Sequence, residues 1–235
     1  MTELDVAAAF EGLSTPLLAD ACVRLGQPVR TAPHGLRPIA TEMRVAGRVL
    51  PARHAGSVDV FLEAFEAAEP GDILVIDNGG RLDEACIGDL TVLEAHAAGV
   101  AGLVVWGLHR DTIELLEIGV PVFSLGTSPA GPRRVDPRHP DALRSARIGE
   151  WLVSAEDVVV GDADGVVFVP GARAAELLAT ARDIHERERH QADEVRAGRT
   201  LRRQLEFARY LATRTKDPSY GFRQHLRSIG GAIEE

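Results

Sequence analysis

Three charged residues near the middle of the chain have the residue types and the spacing of a small ligand-binding site. Asp89 is followed, after twenty intervening residues, by the adjacent pair Arg110 and Asp111. Two carboxylates suit a hard divalent cation, and a guanidinium suits a carboxylate or enolate oxygen. These residue types predict a site for a small anionic molecule that also chelates a metal ion.

A predicted helix and the strand that follows it must bring these residues together. The helix is predicted to run from Asp89 to Ala98-Gly99. Its apolar side, at helical spacing, is formed by Leu90, Val92, Leu93 and Ala97. Residues 103–105 predict a buried strand that returns antiparallel to the helix. A helix of about nine residues is about 14 Å long, and a strand recovers that length in about four residues. Asp89 and Arg110 are therefore expected to meet.

The start of the predicted helix adds a second place for an anion. The backbone N–H groups of Asp89 and Leu90 have no partner within the helix and favour an anionic group. Plainer interpretations remain open, because an aspartate at a helix start is usually a cap and an Arg–Asp pair on a loop is usually a weak surface ion pair. His109 is expected to be a loop residue rather than a metal ligand, since no second His or Cys lies at ligand spacing.

The composition indicates one α/β core. The chain has 235 residues, of which 45% are hydrophobic, so a large core can form. A net charge of −9 without a long basic cluster argues against nucleic acid as a partner. The two cysteines predict no disulfide framework, and neither a signal peptide nor an apolar run of about 20 residues for a membrane span is evident. A soluble, cytoplasmic protein is expected.

The rest of the chain alternates between helical and strand patterns. Helices are predicted over residues 5–13, 16–25, 57–69 and 112–118, and strands over 43–50, 73–76, 120–124, 151–153, 158–160 and 166–169. Gly47, within one of these strands, predicts a bulge or a close contact. A long helix from Ala172, interrupted at Gly198, is followed by a helix over 200–211. We therefore predict an α/β catalytic core over 1–170 and C-terminal helices over 171–235, packed on the core or on a neighbouring subunit.

The spacing of Asp89, Arg110 and Asp111 resembles the D-x20-R-D signature of the class II pyruvate aldolases. That family includes 4-hydroxy-4-methyl-2-oxoglutarate aldolase and shares its fold with the regulator of ribonuclease activity A. The resemblance covers most of the chain. Its supporting segments are STPLLADA, PGDILVIDNGG, GVAGLVVWGLHRDT, GVPVFSLGTSP and VVVGDADGVVFVP.

The resemblance implies both a fold and an activity. The fold is α/β, a swivelling β/β/α domain with a C-terminal helical extension, assembled as a homotrimer or homohexamer with its sites between subunits. The activity is that of a divalent-metal-dependent lyase. Such an enzyme cleaves a 4-hydroxy-2-oxo acid to pyruvate through an enolate, and oxaloacetate decarboxylation is a side activity.

The resemblance also implies a role for each site residue. Asp111 binds Mg²⁺ or Mn²⁺ directly, Asp89 acts on the metal through water, and Glu186 of a neighbouring subunit also reaches it through water. Arg110 and Asp89 are the catalytic residues. The substrate, a small 2-oxo acid, is bound by Gly88, Asp89, Leu90 and Arg110.

Some residues depart from the family's pattern. Trp106 and His109 are bulky where relatives often carry small or acidic residues, and Leu125 stands where many carry a basic one. The pocket for the leaving half of the substrate is therefore expected to differ. A second hypothesis is a non-enzymatic protein-binding module like the ribonuclease regulator. A methyltransferase is disfavoured, because no glycine-rich nucleoside-binding loop follows the first strand.

Overall fold

The computed structural model describes residues 5–230 and shows a mixed α/β architecture. Its helices are α1 (Val6–Phe10), α2 (Thr15–Arg24), α3 (Asp59–Glu66), α4 (Asp89–Ala97), α5 (Thr112–Ile118), α6 (Gly171–Arg196), α7 (Leu201–Gln204), α8 (Phe207–Lys216) and α9 (Phe222–Ile229). Its strands are β1 (Arg30–Thr31), β2 (Arg37–Pro38), β3 (Val45–Arg53), β4 (Ile73–Asp77), β5 (Ala85–Ile87), β6 (Gly102–Trp106), β7 (Leu108–His109), β8 (Val122–Ser124), β9 (Ser145–Ile148), β10 (Trp151–Ser154), β11 (Asp157–Asp162) and β12 (Gly165–Pro170).

One eight-stranded sheet organises the fold, in the order β1-β12-β11-β3-β4-β6-β8-β2. The four strands β3, β4, β6 and β8 are parallel, whereas the pairings at both ends of the sheet are antiparallel. Two small ladders complete the structure, β9 with β10 and β5 with β7. The carboxyl ends of β4 and β6 lie at the same edge, the usual place for a site in an α/β sheet.

The parallel strands are apolar because both of their faces are covered. On β4, residues 73–76 are all buried, and they divide between two core clusters by alternation. Leu74 and Ile76 pack with residues of α3, α4 and α5 on one face. Ile73 and Val75 pack on the other face with residues of β9 to β12. The continuous hydrophobic run at these positions therefore predicted a strand buried on both sides.

Gly47 on β3 marks a close approach between two backbone segments. A Cβ atom at this position would lie 2.2 Å from the carbonyl oxygen of Gly71, in the turn before β4. No side chain fits such a gap. The sequence-based expectation of a close contact at Gly47 is confirmed.

The chain divides into two compact units, Met1–Leu178 and Ala179–Glu235. The first contains the sheet. The second has its own aromatic cluster, in which ring centroids lie 5.0 to 6.2 Å apart. Its members are Phe207, Tyr210, Tyr220, Phe222 and His225. No helix among residues 5–230 is long and apolar enough to cross a membrane.

Several sequence-based expectations about the elements were wrong. The single helix expected over 200–211 is interrupted, since Glu206 between α7 and α8 has a left-handed backbone, with φ of 46°. Helix α9 was not predicted. The predicted apolar side of α4 is also divided: Val92 is fully buried, whereas Leu90 and Leu93 are exposed.

Candidate active site at the start of helix α4

The start of α4 and the segment after β7 meet to form one corner of the first unit. The backbone N–H of Asp89 lies 3.4 Å from Oδ2 of Asp111. The same oxygen lies 3.3 Å from Nε of Arg110. The structure therefore brings together the three residues Asp89, Arg110 and Asp111, as the helix–strand geometry of the sequence predicted.

Gly88 provides the space that the Asp111 carboxylate occupies. Its backbone is extended, with φ of −148° and ψ of −168°, a conformation open to any residue. A Cβ atom on Gly88 would nevertheless lie 2.2 Å from Oδ2 of Asp111 and 3.1 Å from Nε of Arg110. Glycine therefore leaves room for the carboxylate for steric rather than conformational reasons, and a larger residue would displace Oδ2 of Asp111.

Asp111 has a left-handed backbone, with φ of 59° and ψ of 42°. For a residue with a side chain this conformation costs about 1 kcal/mol. It is held by neighbouring hydrogen bonds, because Arg110 N donates to the carbonyl of Ile87 at 3.0 Å and Leu115 N donates to the carbonyl of Asp111 at 2.9 Å. Strain of this kind is concentrated at functional sites, where the surroundings over-determine it.

The corner is accessible to a small molecule. The side chain of Asp111 is 34% exposed and that of Arg110 is 49% exposed. Within residues 5–230, Oδ1 of Asp111 accepts no hydrogen bond, so one carboxylate oxygen can take a ligand. A charged pair at a protein surface whose hydrogen-bond donors and acceptors are not all used can bind an anionic ligand and also orient it.

The two backbone N–H groups expected to be free are instead occupied within the corner. Asp89 N faces the Asp111 carboxylate, and Leu90 N donates to Oδ1 of Asp89 at 2.7 Å. The expectation of unpaired N–H groups was wrong because the two aspartates themselves lie at the helix start, where anionic groups are favoured. A substrate carboxylate that uses these donors has to displace the side-chain oxygens.

The donor set fits a hard cation rather than a soft one. Asp89 and Asp111 offer carboxylate oxygens only, and no group of three or more His, Cys, Asp or Glu with metal-binding geometry is found within the described part of the chain. Mg²⁺ keeps several waters and needs one or two protein carboxylates, whereas structural Zn²⁺ needs four ligands rich in Cys or His. The residues present therefore fit Mg²⁺ or Mn²⁺.

His109 is an internal residue on β7, not the loop residue that the sequence predicted. Its side chain is 4% exposed. Nδ1 lies 2.8 Å from the hydroxyl oxygen of Ser124, and Nε2 lies 3.0 Å from that of Thr112. Burial lowers the pKa of His109, against a smaller opposing effect of a Gly126 backbone hydrogen bond and of the Asp111 charge. The imidazole is therefore neutral near pH 7.

The other two departures from the family pattern contribute to core packing. Trp106 is half-buried, and its indole covers Gly80, where a Cβ atom would lie 2.7 Å from Cε2 of the ring. Leu125 is half-buried as well, and its Cδ2 would lie 3.3 Å from a Cβ on Gly35. Both side chains pack against the same core cluster.

The irregular segment after β8 closes the far side of Arg110. A Cβ atom on Gly131 would lie 3.0 Å from Nη1 of Arg110. The segment is fastened to β5, because Ala85 N donates to the carbonyl of Ala130 at 2.7 Å. Arg134 further along binds the buried carboxylate of Glu84 at 2.9 Å. The guanidinium of Arg110 thus lies between this segment and Gly88.

Glu186 lies on the part of α6 that belongs to the second unit, and its side chain is exposed. The role implied for it, at the metal of a neighbouring subunit, stays a prediction.

Sequence reasoning missed an apolar surface next to the corner. Four large side chains on α4 and α5 are between 44% and 75% exposed. They are Leu90, Leu93, Ile113 and Leu116. The signal was present in the sequence, since leucine and isoleucine occur on more than one side of these short helices. On α4 it was interpreted as one apolar side of the helix, and on α5 it was not interpreted.

Comparisons with known proteins identify the family to which the chain is similar. The model of the RraA-like family, described as Aldolase/RraA, matches residues 15–168. A relative from Halalkalibacterium halodurans, named "Putative 4-hydroxy-4-methyl-2-oxoglutarate aldolase", is 31% identical over 203 residues, which span 83% of this chain and 92% of the relative.

Solved structures show the same fold. One is a protein from Pseudomonas syringae pv. tomato, described as uncharacterized, with a TM-score of 0.73 and 26% identity over 83% of this chain and 93% of that chain. Another is Streptomyces coelicolor RraAS2, described as an unusual member of the RNase ES inhibitor RraA protein family. Its TM-score is 0.69, with 26% identity over 81% of this chain and 98% of that chain. The predicted α/β fold class is confirmed.

Proposed function

Because this chain belongs to the RraA-like (Aldolase/RraA) family, we propose that it is a divalent-metal-dependent lyase that forms pyruvate from a 4-hydroxy-2-oxo acid. The substrate resembles 4-hydroxy-4-methyl-2-oxoglutarate, and oxaloacetate decarboxylation is a side activity. The observation that carries the proposal is the corner of Asp89, Arg110 and Asp111, in which the Asp111 carboxylate lies 3.4 Å from the backbone N–H of Asp89 and 3.3 Å from Nε of Arg110.

Asp111 is the residue that would hold Mg²⁺ or Mn²⁺ directly, with Asp89 acting on the ion through water. When bound, the cation supplies a Lewis acid for the keto group of the substrate. The free Oδ1 of Asp111 and the exposure of its side chain support this assignment. Removal of the cation is therefore expected to abolish turnover.

Arg110 would stabilise the charge that develops during bond cleavage. As the C3–C4 bond of the substrate breaks, its electron pair forms the enolate of pyruvate and negative charge collects on the oxygen at C2. The guanidinium binds this oxygen more strongly than it binds the neutral keto oxygen, and such a difference lowers the barrier. The same charge develops when CO₂ leaves oxaloacetate, which accounts for the side activity.

Asp89 would direct the final proton transfer. The proton lost from the 4-hydroxyl group of the substrate must end on C3 of the enolate, and a water held between Asp89 and Arg110 can deliver it. The N–H groups of Gly88, Asp89 and Leu90 would bind the substrate carboxylate at the helix start. This carboxylate then takes the place of the side-chain oxygens that accept from Asp89 N and Leu90 N in the structure.

A homotrimer or homohexamer would complete the site. The exposed apolar side chains of α4 and α5 follow Asp89 and Asp111 by one to five residues in the chain, so a second copy that covers them also lies close to the corner. Glu186 of that copy is our candidate for the additional carboxylate. Enzyme activity and assembly are coupled in this arrangement.

A second candidate function is a non-enzymatic regulator that covers a partner protein. One solved relative, the S. coelicolor protein, belongs to a group described as RNase ES inhibitors. A protein-binding surface alone, however, requires neither the accessible carboxylate of Asp111 nor the strained backbone that presents it. We therefore rank the lyase first.

The test is pyruvate release from oxaloacetate and from 4-hydroxy-4-methyl-2-oxoglutarate, measured with lactate dehydrogenase and NADH. Reactions contain Mg²⁺, or EDTA, or EDTA followed by excess Mg²⁺, and enzyme-free blanks correct for spontaneous decarboxylation. The proposal expects turnover that EDTA abolishes and Mg²⁺ restores. No turnover of either substrate by folded, metal-loaded protein would overturn this substrate assignment and favour the regulator.

A further inference from the structure

The side chain of His109 makes a hydrogen bond that spans the two charged residues that follow it in the chain. Its backbone is fixed to the neighbouring segment, since His109 N donates to the carbonyl of Gly126 at 3.0 Å. Its Nε2 then lies 3.0 Å from the hydroxyl oxygen of Thr112, three residues later. Arg110 and Asp111 are the only residues between the two ends of this contact.

The imidazole lies between two hydroxyl groups. On one side, Nδ1 lies 2.8 Å from the hydroxyl oxygen of Ser124, which also lies 3.3 Å from the carbonyl oxygen of Gly126. On the other side, Nε2 lies 3.0 Å from the hydroxyl oxygen of Thr112, which in turn donates to that of Thr127 at 3.4 Å. His109 thus links the end of β8 to the start of α5.

We propose that His109 is a positioning residue for the candidate active site and that it acts through Thr112. This inference rests on the proposed function for its kinetic and metal-binding consequences, whereas its consequence for amide exchange is independent of that function. Since His109 is only 4% exposed, we assign it no direct contact with the substrate. Its effect is to hold Asp111 in the left-handed conformation, which directs the carboxylate into the space left by Gly88.

Without the link, the backbone at Asp111 can relax to a more common conformation. The carboxylate and the Arg110 guanidinium would then move relative to α4. A displacement of about 1 Å at a catalytic group can cost on the order of 100-fold in rate. Outer partners that orient metal ligands typically contribute about 10- to 100-fold to metal affinity.

The experiment compares Thr112→Val, which removes only the hydroxyl at nearly constant volume, with Thr112→Ser, which keeps it. His109→Leu removes the imidazole from the other side. Three quantities are measured on the full-length protein: Mn²⁺ affinity by electron paramagnetic resonance, kcat and KM for pyruvate release, and hydrogen exchange of the Arg110 and Leu115 amides. Thermal melting verifies that each variant is folded.

The proposal expects Thr112→Val and His109→Leu to weaken Mn²⁺ binding about tenfold or more. It expects kcat to fall about 10- to 100-fold with KM changed less than about threefold, and both amides to exchange faster. Thr112→Ser should retain wild-type values. The inference is overturned if Thr112→Val matches wild type in Mn²⁺ affinity and exchange, or if Thr112→Ser loses as much as Thr112→Val. A wild-type protein that forms no pyruvate contradicts the proposed function, whereas exchange of the Arg110 and Leu115 amides still decides the role of His109.

Discussion

At the residue scale, Gly88 and Asp111 decide whether the candidate site can form. Gly88 leaves the space into which the Asp111 carboxylate points, and Asp111 adopts the left-handed backbone that points it there. Each feature depends on the other, because a side chain at Gly88 or a relaxed backbone at Asp111 would separate the carboxylate from Asp89 N. The chemistry is therefore sensitive to changes that add no charge and remove none.

Gly88→Ala is expected to lower kcat/KM for pyruvate release by about tenfold or more, since its Cβ would overlap Oδ2 of Asp111 and displace it. The extended backbone of Gly88 accommodates alanine, so folding should persist. The measurement is coupled steady-state kinetics. Gly221→Ala is the control, because its Cβ meets nothing within 4 Å and its φ is −80°. Equal activity of both variants would contradict the steric argument.

The sequence predicted the positions of the charged residues better than it predicted their surroundings. The spacing alone predicted that Asp89 and Arg110 lie close together, because helix and strand lengths are fixed by backbone geometry. It did not show that the two aspartates occupy the N–H groups of α4, nor that His109 points inward. Those facts depend on side-chain directions after a two-residue strand, which has no periodicity to detect.

At the element scale, α4 and β6 position the corner, and the parallel strands beside β6 hold both in place. Strands β4 and β6 were predictable because a continuous apolar run is buried on both faces. The short strands β5 and β7, which carry the residues on either side of the corner, were not, since two or three residues give no pattern. The break between α7 and α8 was also missed, because a left-handed glutamate has no sequence signature.

Gly47→Ala should destabilise the first unit by about 1–3 kcal/mol, because its Cβ would lie 2.2 Å from a backbone oxygen that cannot move alone. Urea unfolding followed by tryptophan fluorescence measures the change. Gly35→Ala is the control: its Cβ would meet only the end of a leucine side chain at 3.3 Å, so its effect should stay within about 0.5 kcal/mol. Similar stabilities for the two variants would show that β3 is not closely packed at Gly47.

At the scale of the whole molecule, the apolar surface on α4 and α5 is exposed in the single chain and is expected to be covered in an assembly. A hydrophobic pattern in the sequence marks burial, but it does not say whether the partner is the chain's own core or another copy. Leu90 and Leu93 were predicted to form part of the apolar side of α4, and both are exposed. In the proposed oligomer, a neighbouring copy covers them.

Leu116→Glu is expected to shift the protein toward a monomer at micromolar concentration, because it places a charge in the proposed interface without altering buried residues. Sedimentation velocity provides the mass. Leu152→Glu, at a leucine of similar exposure on β10, should leave the assembly intact. Identical sedimentation of Leu116→Glu and wild type would place the interface elsewhere.

The most direct test of the proposed site is the metal-dependent activity of Asp111→Asn. Asparagine tolerates the left-handed backbone, so the variant keeps the shape of the corner and loses only the charge. Pyruvate release with Mg²⁺ should fall by about a hundredfold or more, since outer partners of metal ligands alone contribute about 10- to 100-fold. Glu114→Gln, one turn along α5 and exposed, should retain wild-type activity. If Asp111→Asn remains as active as Glu114→Gln, the corner of Asp89, Arg110 and Asp111 is not the catalytic site.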